Sequence, residues 1–497
     1  MTFSGRTIAK NAGVLMSSQL ISWGLSFLLA IFLPRYLGPQ GIGQILLANS
    51  LWAIVAVIAG FGTETFITKE IARSPGRLNE LLGTTLALRA LIFMLGALAM
   101  AVYVQLAGYP AQTVSIILII GISSLVGQLS GTYDAALKGL ERMEYTALAA
   151  VVFNAFLSFL QIGLLLFGYG VVPVAAAGII ANFAMLAIEY SFLRKLYSIK
   201  LSVRWGLILS VIQASLPYCM VSIGIVLYHQ FDAVVISLLA DEKVIGWYGA
   251  AARLYGTLLF IPNVIGTALF PALSRAHSES PSAVNKLAQK SLSLFVMLGV
   301  PVGLGMAIIA NQLVVLLFGA AFANSGPVLA VRGILLILTF VNMLLGFLLI
   351  SKDRQKSWAC VMLIAAIATI PLDLILIPWT VKTFANGALG GALSFVFTEV
   401  GMTMTGLALL PRGTFSRQNA EVAAKVILAG VVMAAVTWIV RDIFILIPIA
   451  VGAVTYVGMV AILRAVPKED WDFFLDIGSS FIQRLRGRFT KAVEMEG

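Results

Sequence analysis

The sequence predicts an all-α polytopic membrane protein with about 14 transmembrane helices, each needing about 20 apolar residues to cross. Three observations carry that expectation. First, 60% of the 497 residues are apolar and 11% are charged, with a mean hydropathy of +0.99. A soluble domain is about 25% charged, so a cytosolic enzyme of two or three domains is excluded. Second, about 14 stretches of about 22 residues use roughly 308 positions, which leaves about 190 for termini and loops and no room for an ectodomain or a catalytic domain. Third, lysine and arginine are distributed unevenly between alternate loops.

The first six stretches are 11–33, 44–67, 81–107, 113–137, 146–167 and 172–193, giving an N-lobe over 1–193. A basic connector at 194–206 leads to a C-lobe over 207–410, with stretches 207–239, 244–271, 287–309, 328–350, 357–377 and 386–409. Two extra spans, 422–440 and 443–463, complete the region 411–464 ahead of a charged tail at 465–497. In that tail Phe474, Phe481, Leu485 and Phe489 recur near helical spacing among Arg484, Arg486, Arg488 and Lys491. The pattern suits a helix lying on the membrane face; a disordered tail is the alternative. With the N-terminus inside, the inner loops and termini hold 26 lysines and arginines and the outer loops 4, namely Arg35, Lys243, Lys382 and Arg441. The positive-inside rule then places both termini in the cytoplasm of a plasma (inner) membrane protein. The same asymmetry accounts for the net charge of +11. Contact with anionic lipid explains it better than nucleic-acid binding.

Several chemistries are disfavoured. Cys219 and Cys360 lie in apolar stretches and read as small core residues. Two histidines cannot build a zinc cluster, and no GxxxxGK[ST] element occurs. The run after Arg6 and Lys10 reads as a first span, not a signal peptide. Ser18, Gln19, Ser22 and Ser26 on the first span, and Asn154, Ser158 and Gln161 on the fifth, form polar stripes that either face a wet cavity or join helices. Pro217, Pro262, Pro301 and Pro371 mark bends, either hinges or passive kinks.

A faint repeat relates the halves. Gly41-Ile-Gly-Gln-Ile-Leu-Leu-Ala48 opens the second span and Val244-Ile-Gly-Trp-Tyr-Gly-Ala-Ala251 the eighth. Six spans separate them, so the copies run the same way, as in a parallel pseudo-repeat of two six-helix lobes around a central cavity. These residues also carry a resemblance. Arg35-Tyr-Leu-Gly-Pro-Gln-Gly-Ile-Gly43, Asp232, the segment from Val244 to Arg253, and Pro262 look like the elements of polysaccharide flippases. Over nearly its whole length the chain resembles the O-antigen repeat-unit flippases of the multidrug/oligosaccharidyl-lipid/polysaccharide exporter superfamily. The resemblance implies an alternating-access transporter, not an enzyme. Its cargo would be a polyprenyl-pyrophosphate-linked oligosaccharide, moved from the cytoplasmic to the outer leaflet for surface polysaccharide synthesis. It implies no cofactor, and as partners membrane lipid and the enzymes of polysaccharide assembly.

An arginine within a span costs roughly 2.5–3.5 kcal/mol on insertion scales, so each one needs a reason. Arg89 lies about eight residues into the third span, roughly 12 Å deep at 1.5 Å per residue. Its planar fork suits phosphate oxygens; the alternative is a structural pair with Glu64. Arg253 and Arg332 are further phosphate-anchor candidates, or else partners of Asp232 and Asp373, which lie at similar depths. Asp232 and Asp373, with Ser394 and Thr398 one helical turn apart, offer oxygen ligands to a hard cation. The resemblance adds that relatives hold sodium among these three helices. Glu399, near mid-span, is a proton carrier or the neutraliser of an arginine. Sodium, protons and the membrane potential alone are the three alternatives for what drives the cycle. Two alternatives stand beside the flippase: a multidrug antiporter of the same fold, disfavoured because arginines repel cationic cargo, and a membrane polymerase or ligase, disfavoured by short outer loops. The longest outer candidate is 311–324.

Overall fold

The computed structural model describes residues 5–465. The described residues are helical nearly throughout, because in a bilayer each backbone polar group must find its partner within its own segment. The order is α1 (Gly5–Gly60), α2 (Thr63–Arg73), α3 (Leu78–Ala107), α4 (Ala111–Gly139), α5 (Met143–Leu166), α6 (Val171–Leu196) and α7 (Trp205–Leu239). Then come α8 (Glu242–Leu258), α9 (Phe260–Glu279), α10 (Pro281–Phe318), α11 (Ser325–Ser351), α12 (Gln355–Phe384), α13 (Gly387–Leu409), α14 (Arg417–Ile439) and α15 (Leu446–Ile462).

These elements make fourteen crossings once the breaks are read. α1 is two spans joined at Gly38, whose φ of 67° and ψ of −180° are open to glycine and strained for other residues. The second of them continues into α2 across Phe61 and Gly62. Gly62 has φ 66°, and a Cβ there would sit 2.5 Å from the Cys219 amide nitrogen on α7. Likewise α8 and α9 form one crossing broken at Leu259, three residues before Pro262. Pro217, Pro301 and Pro371 lie inside α7, α10 and α12 without ending them. The expected loop at 311–324 is mostly ordered: α10 runs to Phe318 and a single 3-10 turn, Ala320–Phe322, follows. The helix expected in the charged tail lies outside the described residues.

The chain divides into two compact units. One contains the chain up to Arg253 with Val314–Val328 and Met362–Phe395; the other contains Leu254–Leu313, Leu329–Val361 and the chain from Val396 on. In the first, α4 and α6 pack along their lengths, and α5 bridges α6 and α1. Its core near the basic loops joins Ile67, Ile71, Leu81, Leu82, Leu137 and Leu193. In the second, α14 and α15 pack on α10 through Val296, Val300, Val426, Met433 and Tyr456, and the Tyr456 hydroxyl donates to the Met297 carbonyl at 2.7 Å.

Polar stripes act as joints here. Ser26 Oγ donates to Asn154 Oδ1 at 3.3 Å, Ser158 Oγ to the Leu25 carbonyl at 3.4 Å, and Gln161 to the Val174 carbonyl at 2.9 Å. Cys219 is buried as expected, but Cys360 is exposed. In a membrane helix the outward face is as apolar as the inward one, so an apolar setting does not place a small residue inside.

Candidate functional site

The two copies of the sequence repeat meet each other. A Cβ on Gly43 would fall on the Glu242 carbonyl and within 3.0 Å of the Gly246 amide nitrogen, and one on Gly246 would fall on the Pro39 carbonyl. Each glycine thus lets the other copy's backbone approach. Around this seam the Glu242 carboxylate accepts from Gln44 Nε2 at 2.9 Å, from Gln40 Nε2 at 3.2 Å and from the Thr113 hydroxyl. Ser50 donates to Gln230 at 2.9 Å, and the Tyr109 and Ser237 hydroxyls are 2.8 Å apart. The seam lies at the ends of the spans away from the lysine- and arginine-rich loops.

Arg89 is 1% exposed. Its Nε donates to Thr63 Oγ1 at 2.8 Å and its Nη1 to the Gln128 carbonyl at 3.0 Å. Nη2 faces Glu64 Oε1 at 3.4 Å, and the Glu64 side chain is 58% exposed. The arrangement contains the Glu64 pair, with the acid outward and the base inward. A strong charge-assisted bond is about 2.7–2.9 Å, so this third contact is loose while the first two are tight. The guanidinium is held in position with one edge only weakly engaged.

Three ion-ligand candidates sit on helices that converge. A Cβ on Gly390 of α13 would lie 2.6 Å from Ile377 Cα on α12, and one on Gly391 would lie 3.2 Å from Ile236 Cδ1 on α7. Asp232 is one turn before Ile236, Asp373 one turn before Ile377, and Ser394 one turn after Gly390. Because α7 and α12 run opposite to α13, all three lie one turn to the same side of the contact, on the faces that make it. All three are buried. The Tyr248 hydroxyl donates to Asp232. Two carboxylates and a hydroxyl are hard oxygen donors of the type that a hard cation takes. No cluster of three or more His, Cys, Asp or Glu occurs among the described residues. Thr398, buried further along α13, falls in the second unit, and Arg253 is half-buried on α8.

The second unit holds its own network. Arg332, 5% exposed, lies over the Tyr255 ring at 5.3 Å, and the Tyr255 and Thr339 hydroxyls are 2.7 Å apart. Glu399 and Arg332 both act electrostatically on Tyr255. Asn342 Nδ2 donates to Glu399 Oε2 at 2.5 Å and to its carbonyl at 3.0 Å, while Thr403 donates to Asn342 Oδ1 at 3.0 Å. Glu399 and Arg332 therefore both lie within electrostatic reach of the buried Tyr255 ring.

One carboxyl went unmarked in the sequence. Glu189 of α6 is fully buried and accepts from the Ser130 hydroxyl of α4. A lone acid in an apolar stretch, five residues before Arg194, was the available signal. Beside it an apolar groove of about 480 Å³ is lined by Leu86, Tyr133, Leu186 and Tyr190.

A family model described as polysaccharide biosynthesis protein matches residues 8–277. The protein of Haloferax volcanii named as the probable low-salt glycan biosynthesis flippase Agl15 is 24% identical over 413 residues, 79% of this chain and 82% of that one. A Shigella dysenteriae protein with the provisional name of O-antigen transporter is 22% identical over 381 residues, 75% of this chain and 92% of that one. Among solved structures, the lipid II flippase MurJ in an inward closed conformation superposes with a TM-score of 0.73 at 14% identity, covering 91% of this chain and 98% of that one. At that identity the likeness is one of fold.

Proposed function

Because the chain belongs to the polysaccharide biosynthesis protein family, whose model spans residues 8–277, we propose that it is a flippase for a polyprenyl-pyrophosphate-linked oligosaccharide. It moves this cargo from the cytoplasmic to the outer leaflet of the plasma membrane, for surface polysaccharide assembly. The activity is translocation, not catalysis. The names of both relatives support the cargo class, one a glycan flippase and the other an O-antigen transporter.

The observation that carries the reading within the molecule is Arg89. A buried guanidinium held at two corners, with its third contact a loose one to an exposed acid, is a preformed donor to a phosphate oxygen. The pyrophosphate displaces Glu64 from Nη2, and Glu64 reclaims the position when cargo leaves. That exchange lowers the cost of taking the head group out of water. Arg253 and Arg332 are secondary anchors along the path. An organic cation would meet repulsion at the same positions, which disfavours the multidrug alternative.

Sodium at Asp232, Asp373 and Ser394 is the proposed coupling ion, supported by the convergence of α7, α12 and α13. Glu399 then serves as the partner of Arg332. The termini face the cytoplasm, and assembly enzymes and anionic lipid are the proposed partners.

The test is translocation of a lipid-linked glycan in vesicles reconstituted with equal amounts of folded protein. Arg89→Ala is expected to reduce the rate at least about tenfold, the loss of roughly 1.5–3 kcal/mol from charged hydrogen bonds. Arg89→Lys keeps part of it. Undiminished translocation by Arg89→Ala leaves Arg89 as a structural partner of Glu64 only.

A further inference from the structure

Glu189 is the buried acid that the proposed transport mechanism leaves unused. Its side chain is 0% exposed where α4 packs on α6, toward the basic end of α6. Ser130, itself 1% exposed, donates to Oε2, and Oε1 has no hydrogen-bond partner among the described residues. An ionised carboxylate with one bare oxygen in an apolar bundle is the costliest state available to it, and such groups neutralise instead.

Its surroundings offer no compensating base of its own. From α4 it faces Asp134 and Lys138, which are ion-paired with each other, and from α2 it faces Glu64, which is engaged with Arg89. α5, also packed on α6, brings Glu144, ion-paired with Arg142 at 3.5 Å, and Tyr145, stacked on Phe192. On α1, Arg35 lies beside the break between its two spans and donates to the carbonyls of Leu316 and Leu317. On α6 itself Arg194 and Lys195 lie in the last turn.

A route is nevertheless built. Ser130, Asp134 and Lys138 are spaced four apart on α4, so they form one polar line along a single helix face. It begins at the buried carboxyl and ends at Lys138, whose side chain is 42% exposed beside the basic loops. Next to Ser130, Gly131 lets the other charged pair close in: a Cβ there would lie 2.9 Å from Glu64 Oε1 and 3.3 Å from Arg89 Nη1. The carboxyl and the proposed phosphate anchor are thus neighbours across one turn of α4.

We propose that Glu189 is a proton-binding site, neutral in this conformation with its proton on Oε1, that exchanges with the basic face of the membrane along Ser130, Asp134 and Lys138. When the first unit rearranges around cargo, the Glu189 carboxylic acid loses that proton past Ser130 to the Asp134 carboxylate, and the protonated Asp134 gives it to water at the exposed end of the line, leaving Glu189 ionised and Lys138 still an ammonium. Only the coupling of this proton to transport rests on the flippase reading; proton binding itself does not.

The test has two arms on the full-length protein. In the infrared spectrum of purified protein at neutral pH, a carbonyl band of a protonated carboxylic acid is expected, sensitive to deuterium, lost in Glu189→Gln and shifted but retained in Glu189→Asp. A spectrum unchanged by Glu189→Gln overturns the proposal. In vesicles, acidifying the side that bears the basic loops is expected to slow wild-type translocation of lipid-linked glycan several-fold and to leave Glu189→Gln insensitive. Equal slowing of both proteins overturns the coupling and leaves a buried structural acid. A protein that shows the band and moves no lipid-linked glycan sinks the flippase reading while the proton site stands.

Discussion

Asn342 uses both ends of its amide on the Glu399 network: the nitrogen donates to the acid, and the oxygen accepts from Thr403. Removing it leaves a buried carboxylate oxygen without its donor, a penalty of about 1–3 kcal/mol. Asn342→Leu is therefore expected to lower the melting temperature in detergent, whereas Asn342→Asp at low pH, where it can still donate, loses less. The sodium proposal gives a second residue-scale expectation. Ligand that binds only the folded state stabilises by about 2.7 kcal/mol at a hundredfold excess over its dissociation constant. Sodium, and not potassium, is expected to raise the melting temperature of the wild type, and Asp373→Asn to abolish the rise; a rise that persists in that variant removes Asp373 from the site. What the sequence revealed of these sites was the intramembrane charge itself, since Arg89, Asp232 and Asp373 each stand out in an apolar run. It did not reveal partners. Glu64 was readable as one for Arg89 because the two sit at similar depth, but Thr63 and the Gln128 carbonyl depend on side-chain direction. Glu189 lies within the sixth apolar stretch, but its partner Ser130 is on α4 and depends on helix packing that the sequence does not show.

At the scale of helices, the glycine seam is the contact on which an opening motion would act. Overpacking a close contact costs typically about 1–3 kcal/mol, and a methyl at Gly246 points at the Pro39 carbonyl, which has no soft side chain to yield. Gly246→Ala is expected to part the second and eighth crossings. A cysteine at Gln44, which is 2% exposed in this arrangement, should then react with a water-soluble maleimide faster than in the unaltered seam. A cysteine there that stays equally protected places the moving contact elsewhere. The repeat that pointed to these helices was legible because each copy keeps its glycine for backbone approach; that the copies face each other was not, because one-dimensional similarity carries no contact. Spans were readable for a related reason: only runs of apolar residues cross a bilayer. Breaks were less so. Leu259 interrupts a crossing that reads as continuous, three residues before a proline that points to a bend without locating it. The exposed Cys360 and the joined stripe of Ser26 and Asn154 show the limit of hydropathy. It separates membrane from water and does not separate lipid from protein.

For the whole molecule, sidedness decides what every buried charge can do. Each lysine or arginine near an anionic leaflet is worth about 1 kcal/mol, so 26 on one side against 4 on the other outweighs any single loop. The crossing count alternates the loops consistently: α2, α4 and α6 end on the basic side, and α8 and α15 both start on the opposite side. With the basic side cytoplasmic, Arg89 and Glu189 both lie toward the compartment in which the cargo is made. The membrane potential then favours outward movement of the anionic head group by about 2.3 kcal/mol per charge per 100 mV, so the costly step is entry, where Arg89 stands. The expected outcome is direct. In a protein with Cys219 and Cys360 replaced, single cysteines at Lys382 and Arg441 should react with a membrane-impermeant reagent in intact cells. Cysteines at Arg354 and Arg412 should react only after the membrane is opened. Labelling of Arg354→Cys in intact cells would invert the topology, turn the potential against outward transport, and leave Arg89 guarding the exit instead of the entrance.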